Sequence, residues 1–326
     1  MNEKSYKNGD FMTRRIKMVL IAFILLSLFP LYQLFQIYQS SQSFSAQAEA
    51  EEYRYRLVLI SPYLGDAYWN QVITGVESAA AQAKVSLDIK GTNLPDNEEL
   101  QKAMNMAISS QVDGILLLGI DDASFKETIQ KATVQGIPVV TIMADLPDSL
   151  RKSYIGSNHY ETGLELGNYL KKTHSGNETI GIIKGNMVTS IENERMKGLM
   201  DSLQGSSIKL AETNKQHPED QTNELLNQYP AMKVLIGTGV DDGDIIVRTI
   251  EARSALSGFK VYTFDNTQET MNLLRSGKIE GTISHSHALM GEKGVETIVK
   301  WLEKKDLPLP VTTYTKTGVM TEGSRP

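Results

Sequence analysis

Two histidines one residue apart, His285 and His287, are the pattern in this chain that comes nearest to a metal site. Zinc needs three or four ligands at set spacing. Neither a His-Glu-x-x-His run nor a third ligand at a matching offset accompanies the pair. The sequence has no cysteine, which removes thiolate nucleophiles, Cys-based zinc sites and disulfides together. Gly237-Thr-Gly239-Val-Asp-Asp-Gly243 follows an apolar run and has glycines suited to a phosphate loop. Its spacing departs from Gly-x-Gly-x-x-Gly, and Asp241 and Asp242 would repel a pyrophosphate. Neither a Gly-x-Ser-x-Gly elbow nor a P-loop occurs. No enzyme, cofactor or metal is expected from these patterns.

The elements that must position any binding groups are legible from Tyr55 onward. Short apolar runs at 57–60, 87–90, 114–118, 138–142, 180–184, 208–211, 234–236, 261–264 and 281–284 read as strands. Between them lie helix-period segments at 69–83, 98–109, 124–135, 160–172, 191–203, 244–256 and 289–302. Near-continuous apolar strands alternating with helices predict an α/β fold whose parallel sheets are buried on both faces. The strands are too many for one comfortable open sheet, and the 326 residues suit two domains. Two doubly wound lobes are therefore expected, with ligands bound outside the carboxyl ends of the strands. Hydrophobic residues make up 40% and charged residues 22%, enough for a proper core. The net charge is −6 with no basic cluster, which argues against a nucleic-acid partner.

The N-terminus reads differently. Residues 1–17 carry Lys4, Lys7, Arg14, Arg15 and Lys17, and the stretch from Met18 to Tyr38 has no charge. About 20 such residues can cross a bilayer as a helix, and the basic flank places its start in the cytoplasm. The expected order is a cytoplasmic segment 1–17, a transmembrane anchor 18–38 and a linker 39–54. The competing reading is a cleaved signal peptide, with Ala46-Gln47-Ala48 as the small-x-small site. Under either reading the rest of the chain lies outside the cytoplasm.

Several motifs beyond Tyr55 carry a family likeness. They are Leu57-Val-Leu-Ile-Ser61 with Asp66-Ala-Tyr68-Trp69, Gly136-Ile-Pro-Val-Val-Thr-Ile142, and Tyr154-Ile-Gly-Ser-Asn158 with Glu161-Thr-Gly163. Glu194-Arg195-Met-Lys-Gly198, Thr263-Phe264-Asp265 and Gly291-Glu-Lys-Gly294 follow in order. Over 55–314 the chain resembles the type I periplasmic sugar-binding proteins. That resemblance implies two doubly wound parallel-sheet lobes joined by a multi-strand hinge. Lobe 1 would comprise 55–157 with 286–313, and lobe 2 would comprise 158–285 with 314–326. It also implies site residues. Tyr68 and Trp69 would stack on a sugar ring, whose C–H faces are apolar; ordinary core packing is their alternative. Asp66 replaces the family's Asn and could equally cap a helix. Arg195 would donate to sugar oxygens, or else pair with Glu192 on an exposed helix. Asp265 would accept from hydroxyls, or cap a helix beginning near Thr267. His285 falls at a hinge-side Gln or Asn of the family, and His217 near an aromatic closing the other sugar face. Departures are Met143-Ala-Asp145 after the fourth strand, where either Asp145 takes the role or the pocket is less polar, and Gly239, for which Asp241, Asp242 and Asp244 of the same loop are the candidate substitutes.

The function this implies is extracytoplasmic capture of a small polar ligand, a sugar, by closure of the two lobes. An uncleaved anchor fits a sensor working beside a histidine kinase; the family likeness alone fits delivery to the permease of an ABC importer.

Overall fold

The computed structural model describes residues 32–33 and 53–324, apart from 63, 66, 94–95, 121, 175, 186–189 and 254–256. Arg54–Pro326 forms one compact unit, to which every element below belongs. The segment expected to anchor the chain lies outside the described residues except for Tyr32 and Gln33, which are helical. Among the described residues, no helix is long and apolar enough to cross a membrane.

Two six-stranded sheets organise the chain. The first takes β1 (Tyr55–Ser61), β2 (Val85–Gly91), β3 (Gly114–Leu118), β4 (Val139–Ile142), β5 (Ser153–Gly156) and β11 (Thr312–Tyr314), ordered β11-β5-β4-β3-β1-β2. All its pairings are parallel. Parallel neighbours need long crossovers. Here these are α1 (Ala67–Gln82), α2 (Asn97–Ser109) and α3 (Ala123–Val134). α1 covers one face together with α9 (His287–Leu302), around Leu57, Leu59, Val72, Leu116, Met290 and Val295. α2 and α3 cover the other face, around Val58, Ile60, Met104, Ile115, Phe125 and Ile129. This two-sided burial explains why the strands read as unbroken apolar runs.

The second sheet repeats the plan. It takes β6 (Thr179–Ile183), β7 (Lys209–Ala211), β8 (Val234–Gly237), β9 (Lys260–Thr263), β10 (Gly281–His285) and β12 (Thr317–Thr321), ordered β12-β10-β9-β8-β6-β7. α4 (His159–Thr173) and α5 (Ser190–Leu203) cover one face. α6 (Pro218–Gln228), α7 (Asp242–Arg253) and α8 (Gln268–Arg275) lie on the other side. Two of these helices, α6 and α8, were not expected from the periodicity: α6 is largely polar and α8 has eight residues.

The expectation of purely parallel sheets needs one correction. β12 runs antiparallel to β10, with His285 opposite Thr317 and Gly281 opposite Thr321. The reason is its entry. β12 follows β11 across only Thr315 and Lys316. It therefore starts at the end of the sheet where β10 finishes and has to run back along it.

The chain passes between the sheets at three places: Ser157–Asn158 between β5 and α4, Ser286 between β10 and α9, and Thr315–Lys316 between β11 and β12. The passages are tied to one another. Ser157 Oγ lies 2.7 Å from His285 Nδ1, Thr315 N donates to Gly156 O at 2.8 Å, and Ser286 Oγ donates to Lys316 O at 3.3 Å.

Candidate ligand-binding site at the lobe crossings

The site is built first by helix contact. A Cβ on Gly163 of α4 would stand 2.0 Å from the Arg195 carbonyl, and one on Gly198 of α5 would stand 2.0 Å from the Tyr160 carbonyl. Both positions must be glycine for α4 and α5 to approach this closely. The glycines of Glu161-Thr-Gly163 and Glu194-Arg195-Met-Lys-Gly198 thus seat α5 so that Arg195 points inward.

Arg195 is 4% exposed, not on an exposed helix face as a simple surface ion pair would need. Its Nη1 donates to Thr238 O at 2.8 Å, and its guanidinium carbon lies 5.2 Å from the Phe264 ring centroid, a cation–π distance. Glu192, one turn earlier, accepts from Gly185 N at 3.1 Å and from Thr238 Oγ1 at 3.4 Å.

Asp265 follows β9 and is 1% exposed. Its Oδ1 accepts from Thr267 N at 3.1 Å, Thr267 Oγ1 at 3.1 Å and Thr270 Oγ1 at 2.5 Å. The start of α8 is capped by Thr267, so Asp265 supports that cap and does not replace it. Its Oδ2 is buried with no hydrogen-bond partner among the described residues. Burial pushes the Asp265 carboxyl above the usual carboxylate range, while the threonine hydrogen bonds and Arg195 pull it back.

His285 ends β10. Its Nε2 lies 2.9 Å from Phe264 O, and its Nδ1 lies 2.7 Å from Ser157 Oγ. A carbonyl can only accept, so Nε2 carries the proton and Nδ1 accepts from Ser157. The 3.5 Å approach of Arg195 Nη2 to Nε2 is then a contact between two donors. Both ring nitrogens of His285, the residue the family likeness placed at a hinge-side Gln or Asn, are thereby committed within the protein.

Two further histidines complete the cluster. His159 Nε2 donates to Met143 O at 3.1 Å, and its Nδ1 is buried with no hydrogen-bond partner among the described residues. The His159 ring centroid lies 6.3 Å from that of His285, and that of His287 lies 5.6 Å from it. Burial, then the Arg195 charge, holds His159 down to about 3 and His287 down to about 4. The same causes, followed by the two neighbouring histidines, put His285 well below its ordinary value.

The other expected residues are dispersed. Trp69 is 2% exposed within the apolar cluster that includes Val72, Met143 and Met290, the core position that was its alternative. Asp66 and the side chain of Tyr68 lie outside the described residues. Asp145 is spent on Arg151: Oδ2 accepts from Nη2 at 2.6 Å, and Oδ1 accepts from Nε and from Leu146 N. A carboxylate held by a guanidinium fork has little capacity left for a ligand. His217 is exposed at the head of α6. Asp241 is exposed in a left-handed conformation, φ 66°.

Asp242, one position on, is instead the buried carboxylate of that loop. It is 1% exposed and accepts from Gly239 N at 2.7 Å. Burial, opposed by the backbone bond from Gly239 and reinforced by Glu192 and Asp265, pushes it up to about 7. The structure therefore gathers Arg195, Asp242, Asp265 and His285 and adds Glu192, His159 and His287. The repeated aspartates were visible in sequence, but which of them turns inward depends on the left-handed residue ahead of α7.

Comparison with known proteins agrees with this architecture. Residues 57–306 match the model of the periplasmic binding protein domain. A D-ribose/D-allose-binding protein of Pseudomonas aeruginosa is 20% identical over 272 residues, 79% of this chain and 85% of that protein. Among solved structures, GanP, a glucose-galactose binding protein from Geobacillus stearothermophilus, superposes with TM-score 0.76 at 28% identity, covering 83% of this chain and 99% of its own. XylFII in its complex with LytSN superposes with TM-score 0.73 at 26% identity, covering 82% and 97%.

Proposed function

This chain belongs to the periplasmic binding protein family, and from that premise we propose that it is an extracytoplasmic receptor for a neutral, ring-shaped sugar. The observation that carries the reading is Asp265 Oδ2, a buried carboxylate oxygen with no hydrogen-bond partner among the described residues, within the electrostatic reach of the Arg195 guanidinium. A vacant acceptor next to a multi-donor cation suits vicinal hydroxyls, each of which both donates and accepts. The proteins similar to this chain are named for ribose, allose, glucose and galactose, which supports the same ligand class and a binding rather than catalytic role. Binding works by population shift: the ligand favours the arrangement in which both lobes touch it, and that arrangement is what a partner reads.

Our reading of the chain's setting is a single membrane anchor at 18–38, with the binding lobes outside. An anchored receptor stays beside a fixed partner, which favours a sensor histidine kinase; that a similar protein, XylFII, is found in complex with LytSN supports partnership with another protein. The second reading is the substrate-binding component of a sugar ABC importer, which the sugar names of its relatives support equally. Calorimetry of the full chain in detergent against pentoses, hexoses, inositols, amino acids and sugar phosphates tests the ligand class. Binding of an amino acid or phosphorylated ligand, with no response to any neutral sugar, overturns it. Sedimentation of full-length protein with membranes is expected; recovery of a soluble form starting near Glu49 removes the anchor. Ligand-dependent co-purification with a kinase or with a permease separates the two roles.

A further inference from the structure

The three buried histidines sit at the passages between the lobes. His159 opens α4 directly after the first passage, His285 ends β10 before the second, and His287 opens α9 after it. Two of the rings form bonds that tie one lobe to the other. His285 Nδ1 accepts from Ser157, which joins the first passage to the second. His159 Nε2 donates to the carbonyl of Met143, just beyond β4, which also accepts from Tyr154 Oη at 2.8 Å. The Ser157 bond as described uses neutral His285, whereas the Met143 bond is open to both forms of His159, because Nε2 keeps its proton in either.

We propose that this histidine cluster makes the hinge proton-sensitive: neutral rings lock the passages in the arrangement described, and proton uptake in mild acid unlocks them and frees the lobes to move. The physical argument has three parts. A proton added to His285 Nδ1 turns the Ser157 bond around and puts a second cation 3.5 Å from Arg195 Nη2. A proton added to His159 Nδ1 meets no acceptor among the described residues, where that nitrogen is buried without a hydrogen-bond partner. A charge on His287, 5.6 Å from His285, adds like-charge repulsion in a site already held by Arg195. Each penalty vanishes once the ring reaches water, so acid favours the opened hinge.

The other charges around the cluster are engaged elsewhere: Glu192 on α5 accepts from Gly185 N and Thr238 Oγ1, and Asp242 at the head of α7 accepts from Gly239 N. Arg195 from α5 is cationic and bears on all three rings. Asp265, after β9, is engaged by Thr267 and Thr270 through Oδ1 and bears on Arg195. Asp145, in the loop after β4, is taken by Arg151. On α4, Glu161 is exposed and Glu165 accepts from Thr317 Oγ1 at 3.2 Å. Lys316 of the third passage and Glu77 of α1 are exposed.

The sign follows from linkage. The folded-state values lie below the ordinary histidine value of about 6.5, so the opened state binds more protons. The lock is complete above about 6.5 and weakens as pH falls toward the depressed values near 3 to 4. For each ring that reaches solvent, opening at pH 5.5 is favoured roughly tenfold relative to pH 7.5.

Hydrogen–deuterium exchange of the full chain in detergent, without ligand and corrected for intrinsic exchange, reads this directly. Protection at 154–160, 284–288 and 314–318 should fall about tenfold or more between pH 7.5 and 5.5, while β8 at 234–237 keeps its protection. The double variant His159→Gln, His287→Gln should lose most of that pH dependence. Unchanged protection at the passages, equal loss in the variant, or loss shared by β8 overturns the proposal. Should the variant not fold, ring ¹³C shifts of the unaltered protein decide: the proposal expects His159, His285 and His287 to resist protonation at pH 5.5 in the locked state, and all three titrating near 6.5 defeats it. No ligand is used, so a failed sugar reading leaves this result standing.

Discussion

Asn266 and His285 bind each other twice. Asn266 Nδ2 donates to His285 O at 3.1 Å, and His285 N donates to Asn266 Oδ1 at 3.1 Å. The side-chain amide thereby imitates a strand neighbour at the end of β10, where the β9 pairing seen at Gly281 and Thr282 has already stopped. Asn266→Ala leaves one backbone donor and one acceptor without their partner in a half-buried place. The expected cost is about 1–3 kcal/mol of stability, measured by urea unfolding, with exchange at 284–288 rising before the rest of the sheet. A neutral effect would mean that water replaces the amide fully.

Asp265→Asn tests the vacant carboxylate oxygen. Asparagine keeps an acceptor for Thr267 and Thr270 and replaces the other oxygen with an NH₂ donor. Melting of the free protein should change little, whereas affinity for the sugar found by calorimetry should weaken by about 1.5–3 kcal/mol, the scale of a hydrogen bond to a charged group. Unchanged affinity would leave Asp265 only its structural role beside the α8 cap.

Gly163→Ala and Gly198→Ala test how α5 is seated. Each new Cβ would stand 2.0 Å from a backbone carbonyl oxygen, which cannot rotate away as a side chain can. Helix separation should cost about 1–3 kcal/mol and displace Arg195, so binding should weaken beyond what stability alone explains. A folded alanine variant of normal stability and affinity would show that the two helices have slack.

How much of this was readable in the sequence depends on what kind of contact makes each part. Most central strands were legible because burial on both faces leaves only apolar residues, as in Leu57–Ile60 and Gly114–Leu118, whereas the interior β5, Ser153–Gly156, made no apolar run. β11 and β12 were not, because they are short, half-exposed edges rich in threonine. Arg195 was singled out by the family likeness of Glu194-Arg195-Met-Lys-Gly198, and its inward turn became visible only where Gly198 lets α5 approach α4. The histidine cluster was not: Ser157 and His285 are 128 positions apart, and no local pattern announces a bond made only where two passages cross. Asp145 misled for a related reason, since Arg151 completes its fork six residues later, and nothing in the strand-exit pattern distinguishes a carboxylate that is vacant from one already taken.

Asp242 gives the last prediction, and its sign opposes that of the histidines. Its folded-state value is raised to about 7, chiefly by burial, against about 3.9 in an unfolded chain. Between these limits the folded state binds more protons, so the contribution of Asp242 to stability grows as pH falls from about 7 toward 4, by roughly 1.4 kcal/mol per pH unit. Above pH 7 the buried carboxylate is charged and costs stability. Asp242→Asn keeps an acceptor for Gly239 N and removes the titration. The variant should therefore gain on the unaltered protein by roughly 2–3 kcal/mol more at pH 8 than at pH 5. The difference between the two proteins cancels the opposite trend of His159, His285 and His287, which remain in both. Urea unfolding at pH 5, 6, 7 and 8 measures it, and a stability difference that stays constant across that range would show that Asp242 remains ionised in the folded protein.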